Sequence, residues 1–304
     1  MVPHHTPVMV EEVKAALNIK SGGNYIDCTV GEGGHSLAIC SALKPPPRLL
    51  GIDLDEEALL TARTRLEGMA TLVKGSYIGV KNLAEKNGFF PADGILIDLG
   101  LSSLQIETGR KGFSFKNEGP LDMRFDRHQE LTASQIVNRY GERELADLFY
   151  QLGEESKSRR IAKAVVKSRP INTTVELASI VKRAVGKRSQ RAIHQATRTF
   201  QALRMATNRE LETIENGLED AIGALAAGGR IAVISYHSLE DRLVKRILLR
   251  EAASCICQPG IPVCVCQQEP RVKRVNRRVI RPAVEEIAEN PRSRSAKLRV
   301  AERI

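Results

Sequence analysis

Asp27-Cys28-Thr29-Val30-Gly31-Glu32-Gly33-Gly34-His35-Ser36 is the stretch on which the fold is decided. A β-prone run, 25–30, leads into it and a helix-period segment, 35–43, leads out, so the glycines mark a strand-to-helix turn. Glycine there lets the backbone come close to a ligand, and the first N–H groups of the helix are left without intrahelical partners. The dinucleotide fingerprint asks for a third glycine where this chain has Ser36, which argues against a nicotinamide cofactor. Asp53 closes the next apolar run, about 20 residues on, where a carboxylate can accept hydrogen bonds from ribose hydroxyls.

Outward from this turn the pattern continues. Strand signals at 49–53, 70–74 and 94–98 alternate with helical segments at 56–66 and 80–87. After Asp98 the texture breaks into glycines, serines and charges, followed by helix-period segments near 133–139, 144–152, 158–168 and 175–185. A further amphipathic helix is predicted at 208–225, turned by Gly228-Gly229 into a strand at 230–235, with a helix at 239–251. This order predicts an α/β fold, a doubly wound and mostly parallel sheet, interrupted after its fourth strand by a helical insertion. The expected boundaries are a core of 1–106 with 209–304 and an insertion of 107–208.

The chain has 304 residues, 42% of them hydrophobic and 27% charged, which suits a globular protein and not a disordered tail. No apolar run approaches the ~20 residues of a membrane helix. The opening Met1-Val2-Pro3-His4-His5-Thr6 lacks the basic and apolar regions of a signal peptide, so a cytoplasmic location without a membrane partner is expected. The net charge of +10 is uneven. Residues 107–208 hold 20 Lys/Arg against 11 Asp/Glu and residues 271–304 hold 11 against 4, whereas the remainder is net acidic. Two basic blocks on an otherwise acidic chain point to a polyanionic partner such as RNA.

An acidic first strand, a short glycine turn and an acidic end to the second strand together resemble the S-adenosylmethionine (AdoMet) pattern of class I methyltransferases. The sulfonium and ammonium of AdoMet welcome carboxylates that a pyrophosphate would meet as hostile. Asp98, in Asp98-Leu99-Gly100-Leu101-Ser102-Ser103, ends the fourth strand, where groups face the ligand crevice. Amine methyltransferases commonly carry Asp/Asn/Ser-Pro-Pro-aromatic there. This chain has the acid but lacks the prolines and the aromatic. Asp98 is either a turn cap or the acceptor that positions a target amine. A methyltransferase acting at cytosine C5 would instead need a nucleophilic thiolate, and Cys28 in a strand and Cys40 in a helix are not placed to supply one.

Further segments converge: His4-His5-Thr6-Pro7-Val8, Gly112-Phe113-Ser114-Phe115, Gly119-Pro120-Leu121-Asp122-Met123-Arg124, Ala196-Thr197-Arg198-Thr199-Phe200-Gln201, Ser235-Tyr236-His237-Ser238-Leu239-Glu240-Asp241-Arg242 and Asn290-Pro291-Arg292-Ser293-Arg294-Ser295. With the glycine turn and the Asp98 segment, they make the chain resemble the bacterial 16S ribosomal RNA cytosine-N4-methyltransferase family (the RsmH, or MraW, type) from about residue 4 to residue 303. The resemblance implies AdoMet as cofactor and a decoding-region cytidine of 16S ribosomal RNA, in the small subunit, as substrate, with no DNA partner. It implies cofactor contacts from Gly31, Gly33, Gly34, His35, Asp53, Tyr77, Asp98 and Gln105.

His237 follows the fifth strand; it either contacts the target base, relaying a proton, or caps the helix at 239–251. Arg124 and Arg198 are candidates to grip phosphates, and Phe115, with Phe113 and Tyr236, to stack on a flipped base, burial being the other explanation for each aromatic. Cys255-x-Cys257-x6-Cys264-x-Cys266 matches a structural zinc site in ligand number, although its C-x-C pairs depart from the usual C-x2-C; free thiols in a surface loop are the alternative. Two rivals stand beside this reading. One is an amine methyltransferase with the same core acting on DNA or protein. The other is a non-catalytic RNA-binding protein, against which the intact glycines, Asp53 and Asp98 argue.

Overall fold

The computed structural model describes residues 6–100, 111–186, 194–258 and 263–304. It divides into two compact units, Met1–Gly100 with Leu211–Ile304, and Leu101–Glu210.

The first unit is built on a seven-stranded sheet. Its N-terminal half runs α1 (Val10–Leu17), β1 (Asn24–Asp27), α2 (Gly34–Cys40), β2 (Arg48–Asp53), α3 (Glu56–Arg65), β3 (Thr71–Lys74), α4 (Val80–Asn87) and β4 (Ala92–Asp98). In the second unit follow α5 (Ala133–Arg139), α6 (Glu142–Gln151), α7 (Ser158–Lys167), α8 (Thr174–Val185) and α9 (Thr197–Asn208). The chain then runs through α10 (Glu210–Ala224), β5 (Leu225–Ser235), α11 (Ser238–Glu251), β6 (Val272–Arg274), α12 (Val284–Glu289), a 3₁₀ turn at Pro291–Ser295 and β7 (Lys297–Arg303).

The strand order is β3-β2-β1-β4-β5-β7-β6. The first five strands in that order pair in parallel, and β7 lies antiparallel between β5 and β6. Alternation along the central strands sends side chains to opposite faces. Ile26, Ile95, Ile97, Ile231 and Val233 pack on one face with α4, α10 and α11, whereas Tyr25, Leu96, Ala232 and Ile234 pack on the other with α1. Burial on both faces is what makes these strands read as continuous apolar runs.

The helix predicted at 208–225 is α10, Glu210–Ala224; the preceding α9, which ends where Arg209 takes the left-handed conformation (φ 48°), has no counterpart in the sequence reading. One expectation is corrected. Gly228-Gly229 does not precede β5 but lies inside it: Ala92 pairs with Leu225 and Gly94 with Arg230, so residues 226–229 bulge out of the ladder. The basic C-terminal block, 271–304, is not all surface. Its charges hide the strand β7, in which Leu298 and Val300 are buried while Arg299 and Glu302 are drawn into ion pairs with Asp241 and Arg230.

The second unit has its own apolar core, in which Ile136, Phe149, Ile161, Val165, Leu177 and Leu203 are wholly buried. Its helices begin where the capping chemistry says they should. Thr132 and Thr173 accept from the backbone N–H of Gln135 and Glu176, whose side chains reach back to the cap backbone. No helix among the described residues is long and apolar enough to cross a membrane.

Candidate active site

Four parallel strands of the first unit finish at one edge, and three of them finish on aspartate: Asp27 ends β1, Asp53 ends β2 and Asp98 ends β4, with Ser235 ending β5. β1 has β2 on one side and β4 on the other, so the connections leave it in opposite directions and a crevice opens at this switch point.

The glycine turn borders the crevice. Gly31 and Gly33 hold φ of 51° and 82°, which side-chain-bearing residues rarely adopt, and His35 and Ser36 open α2 as buried residues. Asp53 ties the turn to β2: its Oδ2 accepts from Gly31 N at 2.8 Å and its Oδ1 from Asp55 N at 2.8 Å. Burial raises its carboxyl to about 6, with the two backbone amides pulling the other way and the charges of Asp55 and Asp27 adding to the rise. Asp27 is fully buried and is also raised, first by desolvation, while its Oδ2 accepts from the Ser36 hydroxyl at 2.7 Å.

Asp98 is held from both sides. Tyr236 donates its hydroxyl to Oδ1 at 2.9 Å, and His35 Nε2 stands 3.5 Å from Oδ2. Burial pushes the Tyr236 phenol well above its ordinary value, as do the Asp98 charge and hydrogen bond. For His35 burial works downward, but Asp98, Asp27 and Glu286 outweigh it and the imidazole is raised. The sequence reading missed Glu286 altogether. It comes from α12, accepts from Met9 N at 2.7 Å and adds a third carboxylate near His35.

A family model described as the MraW methylase family matches residues 2–304. The chain belongs to the MraW methylase family. It is 52% identical over 303 residues to a ribosomal RNA small subunit methyltransferase H of Dehalococcoides mccartyi, covering 99% of this chain and 86% of that one. To the protein of the same name from Thermomicrobium roseum it is 49% identical over 306 residues, covering 99% and 94%. To that of a Geobacter species it is 45% identical over 308 residues, covering 99% of both.

As a MraW-family member the chain is an AdoMet-dependent methyltransferase, and the crevice fits that cofactor. Asp27, Asp98 and Glu286 all act on one imidazole, His35, an arrangement with too little positive charge of its own. A ligand carrying a sulfonium and an ammonium supplies what is lacking. The Nδ1 of His35 is buried without a hydrogen-bond partner, a further polar atom left for a ligand to satisfy. Asp53, already oriented by two amides, keeps acceptor capacity for ribose hydroxyls.

The structure gathers Gly31, Gly33, Gly34, His35, Asp53 and Asp98 at this edge. Gln105 lies outside the described residues. Tyr77 packs against α10, where a Cβ on Gly217 would fall 2.1 Å from its ring, and is partly buried against the core of the first unit. His237 is the N-cap of α11: its Nδ1 accepts from Glu240 N at 3.4 Å, and Glu240 Oε2 accepts from Tyr236 N and His237 N at 2.9 and 3.3 Å. Of the two roles open to His237, this geometry favours the cap.

The side chains anticipated to meet phosphates and bases in the second unit have partners inside it. The Arg124 guanidinium binds Asp122 through Nε and Nη2 and the carbonyls of Arg127 and Gln129 through Nη1, so its donors are spent on its own loop. Arg198 donates to the Glu154 carbonyl at 2.7 Å. Phe115 lies between His194 and Phe200, with ring centroids 4.5 and 5.0 Å away. Cationic side chains are instead displayed by α7, where Arg159, Arg160, Lys163 and Lys167 are exposed while Ile161, Ala162 and Val165 are buried. In the first unit, burial pushes the Cys28 thiol well above its ordinary value and Cys40 to about 11, which keeps both protonated and unreactive.

Proposed function

We propose that this chain transfers a methyl group to the exocyclic N4 of a cytidine in the decoding region of 16S ribosomal RNA, acting in the cytoplasm on the RNA or the small subunit that contains it. The observation that carries this reading is the setting of Asp98 at the end of β4, where Oδ1 accepts from the Tyr236 hydroxyl and Oδ2 stands 3.5 Å from the His35 imidazole. The relatives named ribosomal RNA small subunit methyltransferase H supply the substrate class.

AdoMet supplies an electrophilic methyl group next to a neutral leaving thioether. The residues handle the nitrogen. The N4 lone pair of cytosine is delocalised into the ring, so the amine must be oriented before it attacks. Asp98 accepts one N–H of the amine, which turns the lone pair toward the methyl and draws electron density onto nitrogen. Because the Tyr236 hydroxyl holds one oxygen of the carboxylate, this contact is pre-organised. The methylated nitrogen bears a surplus proton, which the same carboxylate, already bonded to that N–H, would accept. Asp53 and the glycine turn hold the ribose side of the cofactor, and the exposed cations of α7 meet RNA phosphates.

Nucleoside mass spectrometry of small-subunit RNA incubated with AdoMet, with and without the protein, tests the assignment. Appearance of N4-methylated cytidine confirms it. Methyl transfer confined to DNA or to protein amines in parallel equimolar assays overturns it.

A further inference from the structure

The connection from α11 to β6 is closed at its base by Arg271. Its N–H donates to the Glu251 carbonyl at 2.8 Å and its Nη1 to Glu251 Oε2 at 2.9 Å. Beyond that clasp, the described residues of 252–271 form neither helix nor strand. Nor do they gather a core: Ile256, Val263 and Val265 are 51%, 71% and 72% exposed. A connection of this length without regular structure or apolar burial needs another source of order.

That source is visible in the cysteines. Cys255 and Cys257 alternate with Ile256, and Cys264 and Cys266 with Val265. The sulfurs turn inward together while the apolar side chains turn out. Cys264 Sγ lies 3.5 Å from both Cys255 Sγ and Cys266 Sγ and 3.9 Å from Cys257 Sγ, and Cys266 Sγ lies 3.8 Å from Cys255 Sγ. All four sulfurs fall within 4.8 Å of one another. Four thiolates bound tetrahedrally at about 2.3 Å from one zinc ion are spaced about 3.8 Å apart. Two disulfides would instead show two separations near 2.05 Å, and a multi-iron cluster would spread its cysteines over several metal atoms.

The backbone agrees with thiolates in particular. Cys257 N donates to Cys255 Sγ and Ile256 N to Cys266 Sγ, both at 3.4 Å, and Val265 N donates to Cys257 Sγ at 3.5 Å. N–H groups aimed at sulfur stabilise negative charge there, the outer-shell arrangement that supports metal-bound cysteine.

We propose that Cys255, Cys257, Cys264 and Cys266 form a tetrathiolate site for a single zinc ion, which orders the connection between α11 and β6. The site is separate from the methyl-transfer crevice in both its ligands and its chemistry, and it stands or falls independently of the substrate assigned above.

Metal analysis of the full-length chain, purified under reducing conditions without chelator and reconstituted with zinc sulfate, is expected to give close to one zinc per chain. Replacement by cobalt(II) should produce the visible d–d bands and near-ultraviolet sulfur-to-cobalt bands of a tetrahedral thiolate complex. Cys257→Ser and Cys264→Ser should each reduce the zinc content to background while AdoMet binding by calorimetry persists, showing that the variants are folded. Wild-type chain that stays below about half an equivalent of zinc and shows no cobalt–thiolate bands overturns the site, as does an intact mass four daltons low, the mark of two disulfides.

Discussion

The hydroxyl of Tyr236 donates to Oδ1 of Asp98 at 2.9 Å across the ends of two neighbouring parallel strands, β5 and β4. Two residues after Asp98 stands Gly100, where a Cβ would come within 3.1 Å of the Tyr236 ring. The phenol therefore rests on a glycine and points at the carboxylate. It acts as a positioning residue, and its effect should be separable from that of the acid it positions.

Asp98→Asn keeps the size of the side chain and one acceptor oxygen but removes the charge. Single-turnover methylation at saturating AdoMet is expected to fall by roughly 10²–10⁴-fold, the range for a positioned proton acceptor, with the melting temperature little changed. A rate restored by raising AdoMet would make Asp98 a cofactor ligand only. A stable variant with near-normal turnover would remove it from the chemistry.

Tyr236→Phe leaves Asp98 in place but frees one oxygen to rotate. Loss of a hydrogen bond to a charged group costs roughly 1.5–3 kcal/mol, so turnover should drop by roughly 10- to 100-fold, less than in Asp98→Asn. The double variant should be no slower than Asp98→Asn alone, since the phenol acts through the carboxylate. Additive losses would show that Tyr236 touches the substrate in its own right.

Asp53 is predicted to trade stability for cofactor binding. Its carboxyl is raised from 3.8 to about 6 in the folded chain, so the fold binds its proton more tightly than the unfolded chain does. The stability associated with that proton is present in full below pH 4 and is lost as pH rises through 6, about 3 kcal/mol by linkage. Asp53→Ala should therefore lower the melting temperature of the ligand-free protein less at pH 7.5 than at pH 4, the loss growing as pH falls from 6 to 4. Calorimetry of Asp53→Ala should show AdoMet binding weakened by roughly 1–3 kcal/mol, the cost of unpaired polar partners, and RNA affinity little changed. Unaltered AdoMet affinity would end the ribose-anchor assignment.

His237→Ala removes the cap of α11 and should cost roughly 1 kcal/mol of stability, while single-turnover methylation survives. His237→Asn, which keeps an acceptor at the cap, should recover most of that loss. A rate collapse common to both variants, at normal stability, would return His237 to the catalytic group.

RNA affinity should fall steeply with salt while AdoMet affinity barely moves, because phosphate contacts release counterions. Charge reversal at Arg159, Arg160 and Lys163, on the exposed face of α7, should flatten that dependence more than reversal at Lys14 and Lys20. Equal flattening by both sets would make α7 an ordinary solvated surface.

The sequence by itself determined the alternation of strands and helices through Asp98, the glycine turn, and the aspartates that close the second and fourth strands. Those features are written in local periodicity and in residue types with few conformational substitutes. Gly228-Gly229 could be recognised as an irregularity, but only its pairing with β4 shows it as a bulge inside β5.

What the tertiary structure alone decided is how distant segments share one edge of the sheet. The sequence left the Tyr236 ring open to stacking or burial and said nothing of its hydroxyl, which is committed to a residue 138 positions away. Glu286 reaches the neighbourhood of His35 from α12 with no local signal of its own. The 271–304 block read as cationic surface because its charges dominate the count, whereas β7 buries Leu298 and Val300 between them and satisfies Arg299 on Asp241. Nor could the sequence show the partners that Arg124 and Phe115 find within the second unit. Hydrophobic periodicity is a property of neighbours along the chain. Whether a charge or a ring is spent internally depends on groups that only folding brings within about 3–5 Å.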